Sequence, residues 1–156
     1  MRALPGEAEA IAAISAAREL VRCASSESLE NAPLAIDGAQ FRSFLLTELQ
    51  SFREERLCTV YLDRSRQFLC AETRTAGSRS ALEVSVRAII HRALDLQAYS
   101  MIIAHNHPSG DCRPSAHDVA STNMLCQTAR ALEIDVEDHF IVASNKIFSI
   151  RQGKLL

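Results

Sequence analysis

The sequence lacks any apolar run that approaches about 18 residues, the length that a membrane-spanning helix requires. Its first residues also lack the apolar core of a signal peptide, because Glu7, Glu9 and Arg18 interrupt the apolar pattern there. We therefore expect a protein that is neither exported nor inserted in a membrane.

The sequence also lacks cysteines in a C-x-x-C pattern or in an even number. The five cysteines, at positions 23, 58, 70, 112 and 126, form no C-x-x-C pair, and their number is odd. A framework of disulfide bonds is therefore not expected, and a reduced, cytoplasmic location fits best.

The sequence also has no excess of positively charged residues. Lys and Arg number 17 against 19 Asp and Glu, which gives a net charge of -2 and a pI near 6.2. A domain that binds nucleic acid over a wide face needs a basic surface, so we expect weak or no nucleic-acid binding. The 156 residues, 47% of them hydrophobic, suffice for one soluble domain with a single core.

The N-terminal part of the chain differs from the rest in composition. Residues 6–23 are rich in alanine and place their other apolar residues at helical intervals, which predicts an amphipathic helix. Residues 25–33 are polar and end in proline, which predicts a linker. We place a domain boundary there, with a helical extension over residues 1–32 and the functional domain over residues 33–156.

The remaining chain alternates helical and extended patterns. A helix is predicted from Asp37, its expected N-cap, to Gln50, with Phe41, Phe44, Leu45 and Leu49 on one stripe. The other predicted elements are antiparallel strands over 57–63 and 68–74, a helix over 83–98, a buried strand over 99–104, a helix to about 133, and strands over 134–143 and 146–151. This order predicts an α/β or α+β layer fold.

Chemistry is concentrated in the stretch HNHPSGDCRPSAHD, residues 105–118. His105 and His107 follow the buried strand at positions i and i+2, so their side chains share one face. A Pro-Ser-Gly turn then breaks the strand, and Ser115 begins a helix with Asp118 in its first turn. Two imidazoles and one carboxylate can therefore converge, as in catalytic zinc sites that keep the fourth position open.

Single residues of this stretch also have simpler explanations. Ser115-x-x-Asp118 is a capping-box pattern that any helix can use, and His105 alone would be explained as a hydrogen-bonded strand-end histidine. The His-x-His, the turn and the Ser-x-x-Asp together are harder to explain by packing, and they favour a metal site. Cys112 lies in the same loop, and a thiolate is a good zinc ligand.

The spacing His105-x-His107, seven residues, Ser115-x-x-Asp118 resembles the motif of the JAMM metalloprotease family, and the wording HNHPSGD is similar to its bacterial RadC branch. The resemblance covers about residues 33–156. Matching positions outside the loop are Gly77, Arg87, residues 92–96 and the segment from Asp138 to Val142.

This resemblance implies a single MPN/JAB-type domain, with a mixed central β-sheet flanked by helices and a layout related to cytidine deaminase-like folds. It implies Zn²⁺ as the cofactor, held by His105, His107 and Asp118, and it places no ligand at Cys112. The loop at Gly77 is expected near the metal loop.

The resemblance also assigns the catalytic glutamate to Glu55, from the spacing E-x-x-x-x-x-x-L-D that ends at Asp63. Without it, Glu55 beside Glu54 would be interpreted as a solvated surface charge. His139 has two open interpretations, since it could orient a metal ligand or be an ordinary hydrogen-bonded strand histidine. His91 is expected to be exposed and not a ligand.

The function implied is hydrolysis of an amide or isopeptide bond of a peptide or protein substrate by zinc-activated water. Glu55 would be the general base, and Ser115 could donate a hydrogen bond to the developing oxyanion. The rival is a non-catalytic or nucleic-acid-binding module, because the RadC branch is associated with DNA repair. A metal nuclease also stays open, whereas the H-x-E and P-C-x-x-C signature of zinc deaminases is missing.

Overall fold

The structure is a computed structural model that describes residues 7–30, 32–50, 52–75 and 86–156. The loop at Gly77 and the predicted helix start at Glu83 lie outside the described residues. The elements are α1 (Glu7–Glu27), α2 (Ala39–Leu49), β1 (Arg56–Leu62), β2 (Phe68–Thr75), α3 (Val86–Asp95), β3 (Ser100–Asn106), α4 (Ala116–Arg130), β4 (Asp135–Ala143), β5 (Lys146–Ser149) and β6 (Lys154–Leu155).

In the part of the chain that the structure describes, six strands form one sheet in the order β2-β1-β3-β4-β5-β6. Only β3 and β4 run parallel among these neighbours, and the other four pairs are antiparallel. A parallel pair needs a long crossover connection, which α4 supplies. The mixed sheet with its flanking helices confirms the predicted fold class. The short strand β6 was not predicted.

Helices cover both faces of the sheet. On one face α2 packs against Ile102 and Ala104, and its buried side chains include Phe41, Phe44, Leu45 and Leu49, as predicted. On the other face α3 and α4 pack against Met101 and Ile103. Each large side chain buried in this way stabilises the fold by about 1.5–3 kcal/mol. Because successive strand residues alternate between faces, His105 is directed to the α4 side and Asn106 to the α2 side.

The start of α2 differs from the prediction. Gly38, and not Asp37, is the N-cap, and its N–H donates to Ala35 O at 3.0 Å. A Cβ atom at Gly38 would lie 3.0 Å from that same oxygen. The tight turn therefore favours a residue without a side chain, and this outweighs the capping preference of Asp37.

The helix α1 runs further than predicted. It continues to Glu27, inside the stretch predicted as a linker, and Leu29 just after it is buried in the core. Arg22 Nε donates to Glu48 Oε1 at 2.8 Å, and Thr73 Oγ1 donates to Glu48 Oε2 at 2.7 Å. These bonds tie α1 to α2 and β2. The boundary placed near residue 33 stays a prediction.

Several helical apolar positions face solvent. More than half of the surface is exposed at Ile11, Ile14, Val21, Leu94 and Met124. Helical spacing alone therefore overstated how much of α1, α3 and α4 is buried, whereas Leu125 and Ala129 of α4 are in the core. Within the described ranges, no helix is both long and apolar enough to cross a membrane.

Candidate metal centre

The strand β3 carries His105 into the interior at one end of the sheet. His105 lies between Leu57 of β1 and Ile141 of β4 and is buried. His107 follows the end of the strand, where its N–H donates to Val142 O at 2.9 Å. The two rings come together on one side of the sheet, with 2.9 Å between their Nε2 atoms.

The loop after the strand fixes the ring of His107. Its Nδ1 lies 2.7 Å from Asp111 O, and because a carbonyl can only accept, Nδ1 carries a proton. Nε2 is left to donate to Asp118 or, once deprotonated, to bind a metal. Gly110 makes the turn at φ +84°, a conformation that favours glycine. Hydrogen bonds from Arg113 lower the pKa of Asp111 to about 2 and hold this loop together.

The helix α4 begins with the predicted capping box. Ser115 Oγ accepts from Asp118 N–H at 3.1 Å, while Asp118 Oδ2 accepts from Ser115 N–H at 2.8 Å and from its hydroxyl at 2.6 Å. The box fixes the Asp118 carboxylate at the start of the helix. The capping and metal-ligand interpretations of this pair are therefore compatible.

Three side chains converge on one point. His105 Nε2 lies 3.3 Å from Asp118 Oδ1, and His107 Nε2 lies 3.4 Å from Asp118 Oδ2. Tetrahedral zinc with bonds of about 2.0–2.2 Å separates its ligand atoms by roughly 3.3–3.6 Å. The donor set fits a zinc ion, and the two histidine–carboxylate distances match this spacing, whereas the 2.9 Å between the two Nε2 atoms is shorter. Among the described residues, these three form the group that could hold a metal, and Cys112 is not part of it.

The electrostatics of the cluster favour an ionised carboxylate. Burial alone would raise the pKa of Asp118, but hydrogen bonds from His105, His107 and Ser115 outweigh it and hold that pKa far below its ordinary value. The hydrogen bond to Asp118 is the main reason why the pKa of His107 is raised. The carboxylate is thus ready to bind a cation, whereas a proton on His107 must leave before a metal can bind.

A hydrogen-bonded chain supports His105 from behind. His105 Nδ1 lies 2.7 Å from His139 Nε2, and His139 Nδ1 lies 2.6 Å from Thr122 Oγ1. Thr122 in turn donates to Asp118 O at 2.6 Å. Thr122 was not found from the sequence, although its position four residues after Asp118 on a helix places both on one face. These contacts fit both interpretations of His139, because the bond that would orient His105 is also a hydrogen bond within the structure.

The two glutamates at the entrance of β1 are placed differently. Glu55 is exposed, and its charge contributes to raising the pKa of His107, so its carboxylate acts on the metal cluster. Glu54 is also exposed, and its carbonyl accepts from Asn106 Nδ2 at 3.1 Å. His91 is exposed on α3 and pairs with Asp95 at 3.1 Å, as expected for a residue outside the site.

Comparison with known proteins identifies the family. The RadC-like JAB domain matches residues 37–155, which is most of the chain. The chain belongs to the RadC-like JAB domain family. Because His105, His107, Asp118 and Glu55 lie inside the matched region, the family assignment and the geometry concern the same part of the molecule.

Curated relatives show the same similarity. The chain is 38% identical over 115 residues to the UPF0758 protein YfjY of Escherichia coli, which covers 74% of this chain and 72% of that protein. It is 36% identical over 115 residues to YkfG of the same organism, covering 74% and 73%. A UPF0758 protein of Acidithiobacillus ferrooxidans is 35% identical over 111 residues, covering 71% of this chain and 50% of the relative.

Proposed function

We propose that this protein is a zinc-dependent hydrolase of JAMM type that cleaves an amide or isopeptide bond. The observation that carries the proposal is the convergence of His105, His107 and Asp118, whose two histidine–carboxylate separations suit tetrahedral zinc. Zinc bound there would lower the pKa of a water ligand to about 7 and so supply a nucleophile near neutral pH.

Two further side chains have roles in the proposed reaction. Glu55 accepts a proton from the attacking water and passes it to the leaving amine, which is the usual task of a general base that becomes a general acid. Ser115 is the proposed donor to the oxyanion. Its hydroxyl donates to Asp118 Oδ2, so this bond must be exchanged before Ser115 can donate to a substrate.

A peptide or protein is the proposed substrate. Glu55 and Ser115 are exposed, while His105 is buried. Exposed catalytic groups can meet a macromolecular substrate that does not enter a closed cavity. We do not assign it a nucleic-acid partner, because the net charge is negative.

The proposal is tested by metal content and hydrolysis together. The purified protein should contain one equivalent of zinc by elemental analysis and cleave some member of a panel of short peptides and ubiquitin-like conjugates. His105→Ala should lose both properties, while His91→Ala, a change of an exposed histidine on α3, should keep both. Full zinc in His105→Ala would overturn the ligand assignment, and zinc without cleavage of any panel member by the wild type would remove the hydrolase.

A further inference from the structure

Asn106 lies between the two metal-site histidines but faces the other side of the sheet. It is buried, with 3% of its surface exposed. An amide in such a place needs partners, because a buried polar group that is left unpaired destabilises the fold. Its partners are all backbone groups of one segment, Phe52 to Arg56, about fifty residues earlier in the chain.

The three hydrogen bonds surround Glu55. Asn106 Oδ1 accepts from Arg56 N–H at 2.7 Å, and Asn106 Nδ2 donates to Glu54 O at 3.1 Å and to Phe52 O at 3.2 Å. Glu54 O belongs to the peptide group before Glu55, and Arg56 N–H belongs to the peptide group after it. One side chain therefore holds both peptide groups of Glu55.

These three hydrogen bonds lie just beyond the end of the backbone pairing between β1 and β3. The pairing of β1 with β3 stops at Leu57 and His105, so the backbone before Leu57 has no ladder partner on β3. Beyond that point, hydrogen bonds from the side chain of Asn106 replace the backbone bonds between β1 and β3 and hold the chain on both sides of Glu55. On its other side Arg56 still pairs with Thr75 of β2, but residues 53, 54 and 55 are exposed, so fraying would begin at these residues without Asn106.

We infer that Asn106 is a positioning residue that fixes Glu55 relative to His105 and His107. This inference rests on the proposed function, since it assumes that Glu55 is the general base. The neighbours of Asn106 in sequence, His105 and His107, are both proposed metal ligands, so one three-residue segment at the end of β3 positions the base and the metal together. A displacement of about 1 Å of a catalytic group can cost a factor of about 100 in rate.

The substitution Asn106→Ala removes all three bonds, and Asn106→Asp keeps an acceptor for Arg56 N–H but sets a carboxylate oxygen against two carbonyls. Both should retain zinc, because Asn106 faces away from the cluster. Both should lower kcat by about 10- to 100-fold with little change in KM. Thr73→Val, which removes one side-chain hydrogen bond on β2, is the control and should leave kcat unchanged.

A double-mutant comparison separates positioning from general loss of stability. In a Glu55→Gln background, Asn106→Ala should reduce kcat by less than about threefold further, because the group that it positions is already absent. A full additional loss in that background, or loss of zinc from Asn106→Ala, would overturn the inference in favour of a structural role.

Hydrogen exchange at the Arg56 amide tests the contact without any substrate. By NMR, exchange should be roughly 3- to 10-fold faster in Asn106→Ala than in the wild type, since one hydrogen bond is worth about 0.5–1.5 kcal/mol. An unchanged Arg56 amide would overturn the role of Asn106 whatever the activity. Full hydrolysis by Glu55→Gln would instead remove Glu55 from the proposed mechanism, and with it the catalytic purpose of the contact.

Discussion

His139 Nε2 lies 2.7 Å from His105 Nδ1, and both rings are buried. Burial, and then the neighbouring His105, hold the pKa of His139 well below its ordinary value, so its ring is neutral. If His105 Nε2 is to bind a metal, its proton must be on Nδ1 and is donated to His139. His139 then donates from its other nitrogen to Thr122. Once His105 donates to His139, the donor and acceptor of each later hydrogen bond, up to the bond from Thr122 to Asp118 O, are therefore fixed.

The first prediction is that His139→Phe weakens zinc binding by roughly 10- to 100-fold, the usual effect of removing the partner of a metal-bound histidine. The phenyl ring fills the space but cannot accept from His105. Competition with a coloured chelator measures the affinity. His91→Phe on the surface of α3 is the control, and wild-type affinity in folded His139→Phe would show that His139 only fills the core.

The second prediction concerns pH. The pKa of His107 is raised above the ordinary histidine value of 6.5. In the zinc-free protein, the ion pair of His107 with Asp118 therefore stabilises the fold fully below pH 6.5, and this stabilisation is lost as the pH rises through the raised pKa. Zinc must displace this proton, so its affinity falls by up to roughly tenfold for each unit of pH below that value. Zinc should therefore raise the melting temperature more at pH 8 than at pH 6.

Thermal melts with zinc and with a chelator, at both pH values, check this. His107→Ala should remove most of the difference between the two pH values, because it removes the competing proton together with the ligand. An equal zinc-induced shift at pH 6 and pH 8 in the wild type would contradict the prediction.

The third prediction compares two adjacent glutamates. Glu55→Gln should keep the fold and the zinc but lower hydrolysis by a factor of roughly 100 or more, because an amide cannot accept the proton. Glu54→Gln should be nearly silent, since the charge that acts on His107 comes from Glu55. Steady-state rates with a cleavable substrate decide between them. A large loss in Glu54→Gln would mean that the base is one residue earlier.

Strand and helix periodicity explain how much of the site could be predicted. His105 and His107 share a face because strand residues alternate, and Ser115 and Asp118 meet because a capping box joins residues three apart. These are local rules. The contacts of Asn106 reach Phe52 to Arg56, and those of His139 reach α4, so they depend on strand order and register, which no local pattern contains. Gly38 replaced Asp37 as the N-cap for a similar reason, namely a close contact with Ala35.

The last prediction is that DNA binds weakly, without sequence preference and only at low salt. The net charge is -2, and several arginines of the described surface have acidic partners: Arg74 and Arg92 pair with Glu72, and Arg113 pairs with Asp111. Few DNA phosphates can then be neutralised by the protein. In a plot of the logarithm of the binding constant against the logarithm of the salt concentration, each neutralised phosphate makes the slope steeper by about one unit. We therefore expect a small slope.

Titration of a labelled duplex at about 50 mM and 200 mM salt measures this dependence. A shallow cleft beside α3 gathers Arg74, Arg87 and Arg92, so whatever binding is seen should decrease in Arg87→Ala. Affinity that survives the higher salt and is unchanged in Arg87→Ala would contradict the prediction, because it would require a basic surface elsewhere. It would also favour nucleic acid over a peptide as the partner of the metal site.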